Sequence, residues 1–402
     1  MAETFLHGVE IVEIDSGPRP IRTVRSSVIG IVGTAPDADA AAFPLNKPVL
    51  IAGSRLEAAK LDTVGDSAGT LPAALDDIFD QIGAVIVVVR VEDGVDEAAT
   101  MANVIGGVNA TTGNFEGVHA LAGAESVVGF SPKILIAPGF THIRTEDPEN
   151  EGTYFANAVV AELEGVASQL RAVTVKDGPN TVDADAIADG NNHEGRVYLV
   201  DPFVTVLSGA GEYVDRPSSA RVAGLIAKTD NDLGFWHSPS NKAIAGVVGV
   251  ARPISFKLGD KNSRANLLNE NNVATIINQN GFRLWGNRTL SSDPKWAFLS
   301  VRRTADMIHE SLQRAHLWAV DRNITKTYVE DVVAGVNAYL RRLKAQGAIL
   351  GGECWADPDL NTPENVADGK VFFNFDFTPP YPAEHVTFRS HLVNDYIAEV
   401  FS

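Results

Sequence analysis

The chain has 402 residues, of which 45% are hydrophobic and 21% charged, and its formal net charge is −18. This composition is typical of a soluble globular protein of two or three domains, and no apolar run approaches the ~20 residues that span a bilayer. The acidic balance argues against nucleic-acid binding, because domains built for that task are usually strongly basic.

The N-terminus predicts an extended N-terminal arm over residues 1–26. It lacks the basic start and long apolar run of a secretion signal. The single cysteine, Cys354, excludes an intramolecular disulfide and favours assembly in the cytosol. Within the arm, a strand-forming run is broken by glycine and proline at positions 17, 18 and 20. The apolar side chains expected to anchor this strand are Val9, Ile11, Val12 and Ile14.

Residues 27–250 predict an α/β domain. Short apolar runs bounded by Gly, Pro or Asp alternate with helical patterns, which is typical of a largely parallel sheet covered on both faces. Residues 177–195, rich in Asp, Asn and Gly, predict a solvated surface loop. The apolar runs are 28–32, 49–52, 84–91, 133–137, 172–175 and 197–200.

Residues 251–384 predict an α+β domain. Two amphipathic patterns, over 305–319 and 329–343, indicate long helices. An alternating strand follows, and its sheet-facing side chains are Val371, Phe373, Phe375 and Phe377. After a proline-rich break, residues 385–402 predict a second extended strand, the C-terminal arm, with apolar side chains Val386, Phe388, Leu392 and Val393.

A glycine-punctuated block over residues 281–298 combines aromatic and cationic side chains. It contains no nucleophile–base pair and no metal-ligand spacing, so it predicts a structural joint instead of a reaction centre. We expect its tryptophans to act as rigid anchors, and its arginines to form hydrogen bonds inside the subunit or between subunits. The candidates are Arg283, Trp285, Asn287, Arg288 and Trp296.

Two basic clusters accompany the predicted helices. Residues 252–344 carry 15 basic and 8 acidic side chains, whereas residues 345–402 carry 2 and 9. One hypothesis is that the basic clusters face an acidic protein partner or a neighbouring subunit. The alternative is that they are solvated, or that the second cluster complements a helix dipole. The cluster residues are Arg302, Arg303, Arg341, Arg342 and Lys344.

Enzyme and cofactor signals are weak throughout. The pair Gly30 and Gly33 resembles part of a dinucleotide-binding loop, but a third glycine is missing and the acidic Asp37 follows, so a tight turn is favoured. The segment from Asp183 to Gly190 lacks the spacing and closing glutamate of a calcium loop. The sequence therefore predicts no catalytic set, cofactor or metal site, and the protein is not expected to be an enzyme.

The two predicted arms favour polymerisation. A strand held beyond prolines can satisfy its backbone by adding to the sheet edge of a neighbour. Arms at both ends would link each subunit to two different neighbours, which produces an open helical polymer. The alternative is that both termini pair within the sheet of their own subunit.

Several unrelated motifs occur in the order found in one family. After the motif Gly234-Phe235-Trp236-His237, the chain contains the blocks 264–269, 284–290, 318–322 and 356–361. In these blocks the sequence resembles the contractile tail sheath proteins of myophages and of R-type pyocins. The resemblance extends over nearly the whole chain and is strongest from residue 223 to residue 380.

The resemblance implies a specific architecture. Residues 27–250 would form an outer α/β domain, and residues 251–384 with the N-terminal arm would form the core domain. Arms from neighbouring subunits would complete each core sheet. Subunits would stack as six-fold rings around a tail tube, with baseplate and tail terminator proteins as further partners and without nucleic acid or membrane insertion.

The resemblance also implies a mechanism. The sheath would assemble in the bacterial cytoplasm in a metastable extended state, become part of the virion tail, and contract to drive the tube through the target envelope. The particle could be an infectious phage, a tailocin or another contractile injection system. The rival interpretations are a static structural protein and a soluble α/β nucleotide-binding protein, and the latter would require a complete phosphate loop.

Overall fold

The computed structural model describes residues 20–209 and 211–401. The predicted arm residues Val9, Ile11, Val12 and Ile14 lie outside the described residues. The strands within the described part are β1 (Ile29–Thr34), β2 (Pro48–Ala52), β3 (Val85–Val91), β4 (Gly107–Val108), β5 (Phe115–Glu116), β6 (Ile134–Ile136), β7 (Val173–Asp177), β8 (Val197–Val200), β9 (Val204–Leu207), β10 (Tyr213–Arg216), β11 (Val247–Val250), β12 (Thr275–Asn278), β13 (Phe282–Trp285), β14 (Cys354–Ala356) and β15 (Phe373–Phe375).

Helices fill most of the connections between these strands. Short 3-10 turns cover Ala59–Leu61, Gly117–Leu121, Leu317–Ala319 and Asp395–Phe401. In the described residues, none of the helices is long and apolar enough to cross a membrane. The α-helices are α1 (Arg55–Ala58), α2 (Leu71–Phe79), α3 (Glu97–Ile105), α4 (Ala124–Val128), α5 (Ala158–Leu170), α6 (Asp183–Gly190), α7 (Ser219–Asp232), α8 (Arg264–Glu270), α9 (Leu299–Ala315), α10 (Lys326–Ala345) and α11 (Pro363–Ala367).

The largest sheet has six strands in the order β2-β3-β1-β6-β7-β8. All neighbouring pairs are parallel except β2 with β3, which places one antiparallel strand at an edge. Helices α2 and α7 pack on one face, and α3 and α5 on the other. The predicted parallel sheet is therefore confirmed, since each of its six apolar runs overlaps one strand. The separate antiparallel sheet β10-β9-β11 was not predicted.

The acidic segment 177–195 is not the loop that its composition predicts. It contains the helix α6, whose first turn carries Asp183 and Asp185. Negative charges near a helix N-terminus interact favourably with the helix dipole, and Ala186 on the inner face is fully buried. In this chain, the acidic residues therefore lie at the start of a packed helix instead of in a loop.

The sequence favoured a tight turn at Gly30 and Gly33, and the structure instead places both residues in β1. Both residues lie inside the strand, where a side chain has no room. An added Cβ would lie 2.8 Å from Pro132 at Gly30 and 2.3 Å from Thr70 at Gly33. Close packing of neighbouring elements, and not a phosphate loop, explains this pattern.

A second packed region is built on α9 and α10. Its buried core includes Met307, Leu340 and Ile349, together with Ile21 from the N-terminal side. The strand predicted over 371–377 is shorter, because only Phe373–Phe375 pairs, antiparallel to β14. Phe373, Phe375 and Phe377 are half-buried against this core, whereas Val371 lies before the strand begins.

The two predicted arms differ from their expected bounds. Residues 20–26 of the N-terminal arm are held by this chain's own core, since Ile21 is buried and Ser311 accepts a hydrogen bond from the backbone of Val24. Residues 385–401 of the C-terminal arm contain no strand in the structure, and they end in a 3-10 turn. The prediction of a strand reaching the C-terminus is therefore wrong for its last described residues.

Two helix-interior glycines provide a matched test of the packing between α2 and α7. Gly224→Ala in α7 would place a Cβ 2.9 Å from the carbonyl oxygen of Ile78, whereas Gly335→Ala in α10 meets nothing within 4 Å. We expect the first variant to lower the melting temperature and the second to raise stability by up to about 1 kcal/mol, the helix-propensity difference. Calorimetry of both variants checks this, and equal stabilisation by both would contradict the packing.

Candidate functional site: the ion-pair seam and the C-terminal arm

Helix α9 carries a row of buried charges. Arg303, Asp306 and Glu310 are spaced by three and four residues, which places them on one face of the helix. Their exposed fractions are 3%, 1% and 7%. Ionised side chains are rarely buried to this extent unless they are paired. The partners of this row therefore determine how α9 packs.

Each of these charges binds an opposite charge from the α/β region. Arg303 forms two hydrogen bonds of 2.6 Å with the carboxylate of Asp230 in α7. Asp306 accepts from both terminal guanidinium nitrogens of Arg196, one of them at 2.8 Å. Nζ of Lys133 lies 2.5 Å from Oε2 of Glu310. We call these three pairs, Arg303–Asp230, Asp306–Arg196 and Glu310–Lys133, the ion-pair seam.

The seam runs along one edge of the six-stranded sheet. Lys133 precedes β6 and Arg196 precedes β8, so both cations lie at the amino ends of parallel strands. They are satisfied further by backbone carbonyls, since Lys133 donates to Leu170 at 2.6 Å and Arg196 to Ala172 at 3.0 Å. Burial lowers the pKa of Lys133, and Glu310 opposes this effect. The seam thus joins α9 to the sheet through fully enclosed charges.

The seam corrects one prediction about the basic clusters. Arg303 is enclosed by Asp230 and by the backbone oxygen of Ser26, so it does not face a partner. Arg302 is partly covered as well, with its guanidinium 4.9 Å from the ring of Trp296. It also lies 3.6 Å from Asp306, at the side of the seam.

The second basic cluster is divided between two roles. Arg342 donates to the backbone carbonyl of Ile21, and its guanidinium lies 5.3 Å from the ring of Tyr339. It therefore attaches the N-terminal segment to α10. Arg341 and Lys344 are exposed on α10, and their contact with a partner stays a prediction.

The residues of the block 281–298 make separate contacts instead of one cluster. Arg283 donates to the backbone oxygens of Gln279 and Asn241, each at 2.9 Å. The ring of Trp285 packs edge-on against Phe256 with centroids 4.9 Å apart. The remaining contacts join this block to the start of α9, through the backbone oxygen of Asn287, and to the C-terminal segment, through Arg288 and Glu384.

The C-terminal arm presents a row of unburied apolar side chains. Every residue from 383 to 397 is exposed, which includes the four predicted anchors. Phe388 is 93% exposed and Leu392 is 99% exposed, while Val386 and Val393 are 64% and 47% exposed. Fully burying each such side chain is worth about 1.5–3 kcal/mol. This surface therefore favours a contact that a single subunit does not provide.

The sheet β14–β15 offers a place for such a contact. Among the described residues, neither of its strands pairs with a third strand. The outer edge of β14 is already occupied at Cys354, whose N–H donates to Oδ1 of Asn337 and whose carbonyl accepts from Nδ2 of Asn337 in α10. In the described part of the chain, the outer edge of β15 carries no such partner and is open. An open edge presents backbone amides and carbonyls that can accept an added strand. The open edge of β15 thus lies in a protein whose sequence predicts strand-forming arms.

A second group of buried charges was missed by sequence reasoning. Lys176 and Asp189 approach to 2.5 Å, and Asp177 accepts hydrogen bonds from the backbone and hydroxyl of Ser219. Burial raises the pKa of Asp177 to about 6, although the bonds to Ser219 oppose the shift. The sequence feature that could have revealed this group is the Lys176-Asp177 pair at the end of a buried strand. These charges join β7, α6 and α7.

The carboxyl edge of the sheet contains an open crevice of about 460 Å³. Its lining includes Thr34, Thr70, Gly139 and His142, with acidic side chains such as Asp96 at the rim. Ligands of open α/β sheets bind at this edge, but the acidic rim would repel phosphate. The described residues contain no cluster of three His, Cys, Asp or Glu side chains that could hold a metal ion.

Breaking one pair of the seam should be costly. Asp306→Ala leaves Arg196 buried without its carboxylate, so we expect a loss of about 3–5 kcal/mol in the free energy of unfolding. The double change Arg196→Met with Asp306→Leu should recover most of this loss, because it removes both charges. Urea denaturation of the unassembled subunit measures both effects.

The control for the seam experiment is the exposed pair Glu125–Arg314, whose side chains are 49% and 44% exposed. Glu125→Gln should change stability by less than about 1 kcal/mol. A similarly small effect of Asp306→Ala would show that the seam does not hold α9.

Comparison with known families gives matches along most of the chain. The family described as the phage tail sheath protein central domain matches residues 113–290, and the phage tail sheath C-terminal domain matches residues 291–392. Residues 26–91 match the N-terminal region of domain III of the tail sheath protein Gp18.

Similar curated proteins match over nearly their full length. A putative prophage major tail sheath protein of Pseudomonas aeruginosa strain UCBPP-PA14 is 43% identical, with 99% of each chain covered. The tail sheath protein of Escherichia phage P2 is 36% identical, with 98% of each covered.

Solved structures share the fold at lower identity. The helical sheath of the anti-feeding prophage in its contracted state aligns with a TM-score of 0.69 at 21% identity, covering 96% of this chain and 99% of that one. The contracted sheath complex of an extracellular contractile injection system, PVC, aligns with a TM-score of 0.66 at 18% identity, covering 98% and 99%.

Proposed function

The chain belongs to the phage tail sheath family, and we propose that its subunits polymerise into a contractile sheath around a tail tube. The family is a structural one, and its members are components of virion tails. The observation that carries polymerisation is the combination of an exposed apolar C-terminal arm with a two-stranded sheet whose β15 edge is open. Within the described subunit, the apolar side chains of the arm are uncovered and the open edge carries no added strand. The arm of one subunit therefore fits the edge of another.

Strand addition explains how the subunits join. Residues 386–393 would add to the open edge of β15 in one neighbour, and the N-terminal arm, residues 1–26, would extend the sheet of another neighbour. Main-chain hydrogen bonds would supply affinity, and apolar side chains such as Phe388 would be covered. Because each subunit then donates to two others, the contact is heterologous and produces stacked rings instead of a closed dimer.

Contraction would use two packings of the same subunits. The ion-pair seam supports a subunit body that stays intact, because shifting α9 would separate three buried pairs at once. Movement would then occur between subunits, at the arms. The energy would come from the difference between a metastable extended assembly and a contracted one, without a nucleotide.

The domain roles and partners follow from the same proposal. Residues 27–250 would form the outer domain, and residues 251–384 with the N-terminal arm the core domain next to the tube. Assembly would start from a baseplate and end at a terminator protein, in the cytoplasm of a bacterial host. The resulting particle would be the tail of a phage or a tailocin.

Removing the C-terminal arm tests the polymer. Truncation after Glu384 should abolish tubular polymers while leaving the melting temperature of the subunit unchanged, because the removed side chains that the structure describes are exposed. Negative-stain imaging and sedimentation measure assembly. A finer version is Phe388→Ser with Leu392→Ser, and its control is Leu56→Ser with Leu258→Ser, since Leu56 and Leu258 are 82% and 78% exposed elsewhere. Normal tubes from the truncated protein would refute the role of the arm.

The exposed basic pair on α10 tests the tube contact. Arg341→Glu with Lys344→Glu should weaken assembly on purified tubes, most strongly at low salt, because charge attraction is screened as ionic strength rises. Lys370→Glu, at another exposed position, is the control. Sheathed tubes counted by electron microscopy provide the measurement. Unchanged assembly of the double variant would exclude a tube-facing role for this pair.

A further inference from the structure

The C-terminal segment is fastened to the subunit body at Glu384. Nε of Arg288 donates to both carboxylate oxygens of Glu384, at 2.8 and 3.1 Å, and Nη2 donates to Oε2 at 2.6 Å. This is a bidentate arrangement, which fixes direction as well as distance. The neighbouring residues from 385 to 397 are exposed.

Aromatic contacts hold the same part of the C-terminal segment. The guanidinium of Arg288 lies 4.8 Å from the ring centroid of Phe298. That ring in turn meets Tyr381 edge-on, with centroids 6.0 Å apart. The backbones of Arg288 and Phe298 also form an antiparallel bridge, so the base of this contact belongs to the rigid entry into α9.

Stability of the fold does not account for this arrangement. The side chains of Arg288 and Glu384 are 37% and 41% exposed, and pairs this exposed contribute little to folding. What the pair does determine is the point from which the C-terminal arm departs. Without it, the nearest remaining contact is that of Tyr381 with Phe298, and the nearest backbone hydrogen bonds are those of Thr378 with Gly351 and Leu350.

We propose that the Arg288–Glu384 pair is a clamp that directs the C-terminal arm toward the sheet edge of its neighbour. The proposal rests on the strand addition described above. With the clamp closed, nine residues, 385–393, separate the attachment from the end of the apolar row. With it open, the contact of Tyr381 with Phe298 remains, so twelve residues, 382–393, do so, and the arm can sample a larger volume.

The expected size of the effect follows from tether length. The effective concentration of a tethered group falls roughly as the −3/2 power of the tether length. Lengthening from nine to twelve residues therefore lowers it about 1.5-fold, and loss of direction lowers it further. We expect the critical concentration for polymerisation to rise by about two- to tenfold when the clamp is broken.

The test uses the full chain and three clamp variants: Arg288→Gln, Glu384→Gln, and the charge swap Arg288→Glu with Glu384→Arg. Light scattering gives the critical concentration of each. A nitroxide label on His385→Cys, in a Cys354→Ala background, reports the mobility of the arm in the unassembled subunit. The control is Asp232→Asn, which breaks the similarly exposed pair with Lys228, 45% and 47% exposed, on α7.

Both single variants should mobilise the label and raise the critical concentration, and the swap should reverse part of each change. The control should alter neither, and all melting temperatures should stay close to that of the parent. An unchanged label or an unchanged critical concentration in both single variants overturns the clamp, even if the parent polymerises normally. A parent protein that forms no polymer overturns the proposed function itself, and with it the purpose of the clamp.

Discussion

The ion-pair seam is the constraint on which the rest of this structure depends. Charges removed from water cost several kcal/mol each unless they are well paired, so three pairs along one helix face permit a single register between α9 and the sheet. Leu299 at the start of α9 packs with the sheet, while Met307 and Ile308 pack with α10. The helix therefore belongs to both halves of the protein and joins them into one body.

A rigid body and loosely held ends suit a protein that changes its packing without changing its fold. Around Asp177, at the opposite edge of the sheet, buried and hydrogen-bonded charges again hold packed elements together, here β7 and α7. Exposed apolar side chains occur along the whole described chain, but they are densest after Glu384, where seven lie between residues 386 and 400. Affinity between subunits can then reside in segments whose movement does not disturb the core.

Much of the fold was predictable because its elements depend on the pattern of residues close together in the sequence. Apolar runs predicted the six strands of the main sheet, and amphipathic spacing predicted α9 and α10. Helix α9 begins six residues and ends four residues earlier than its pattern, and α10 extends two to three residues beyond its pattern at each end. Motifs in a fixed order predicted the family. The prediction failed at α6, where acidic composition suggested a loop, because composition does not reveal that one face of a helix packs inward. It failed again at Arg303, which was expected on the surface.

Local sequence patterns were enough to establish the parallel α/β region, the two long helices, the proline breaks before the C-terminal arm and the family, since each depends on residues close together or on motifs in order. Which charges meet depends instead on the packing of distant elements. Arg303 and Arg341 both lie in amphipathic helices, yet one faces Asp230, 73 residues earlier, and the other faces solvent. Likewise, Arg288 finds Glu384 across 96 residues. At that separation, the packing of the elements determines which partner a side chain meets. The residues next to it in the sequence do not indicate that partner.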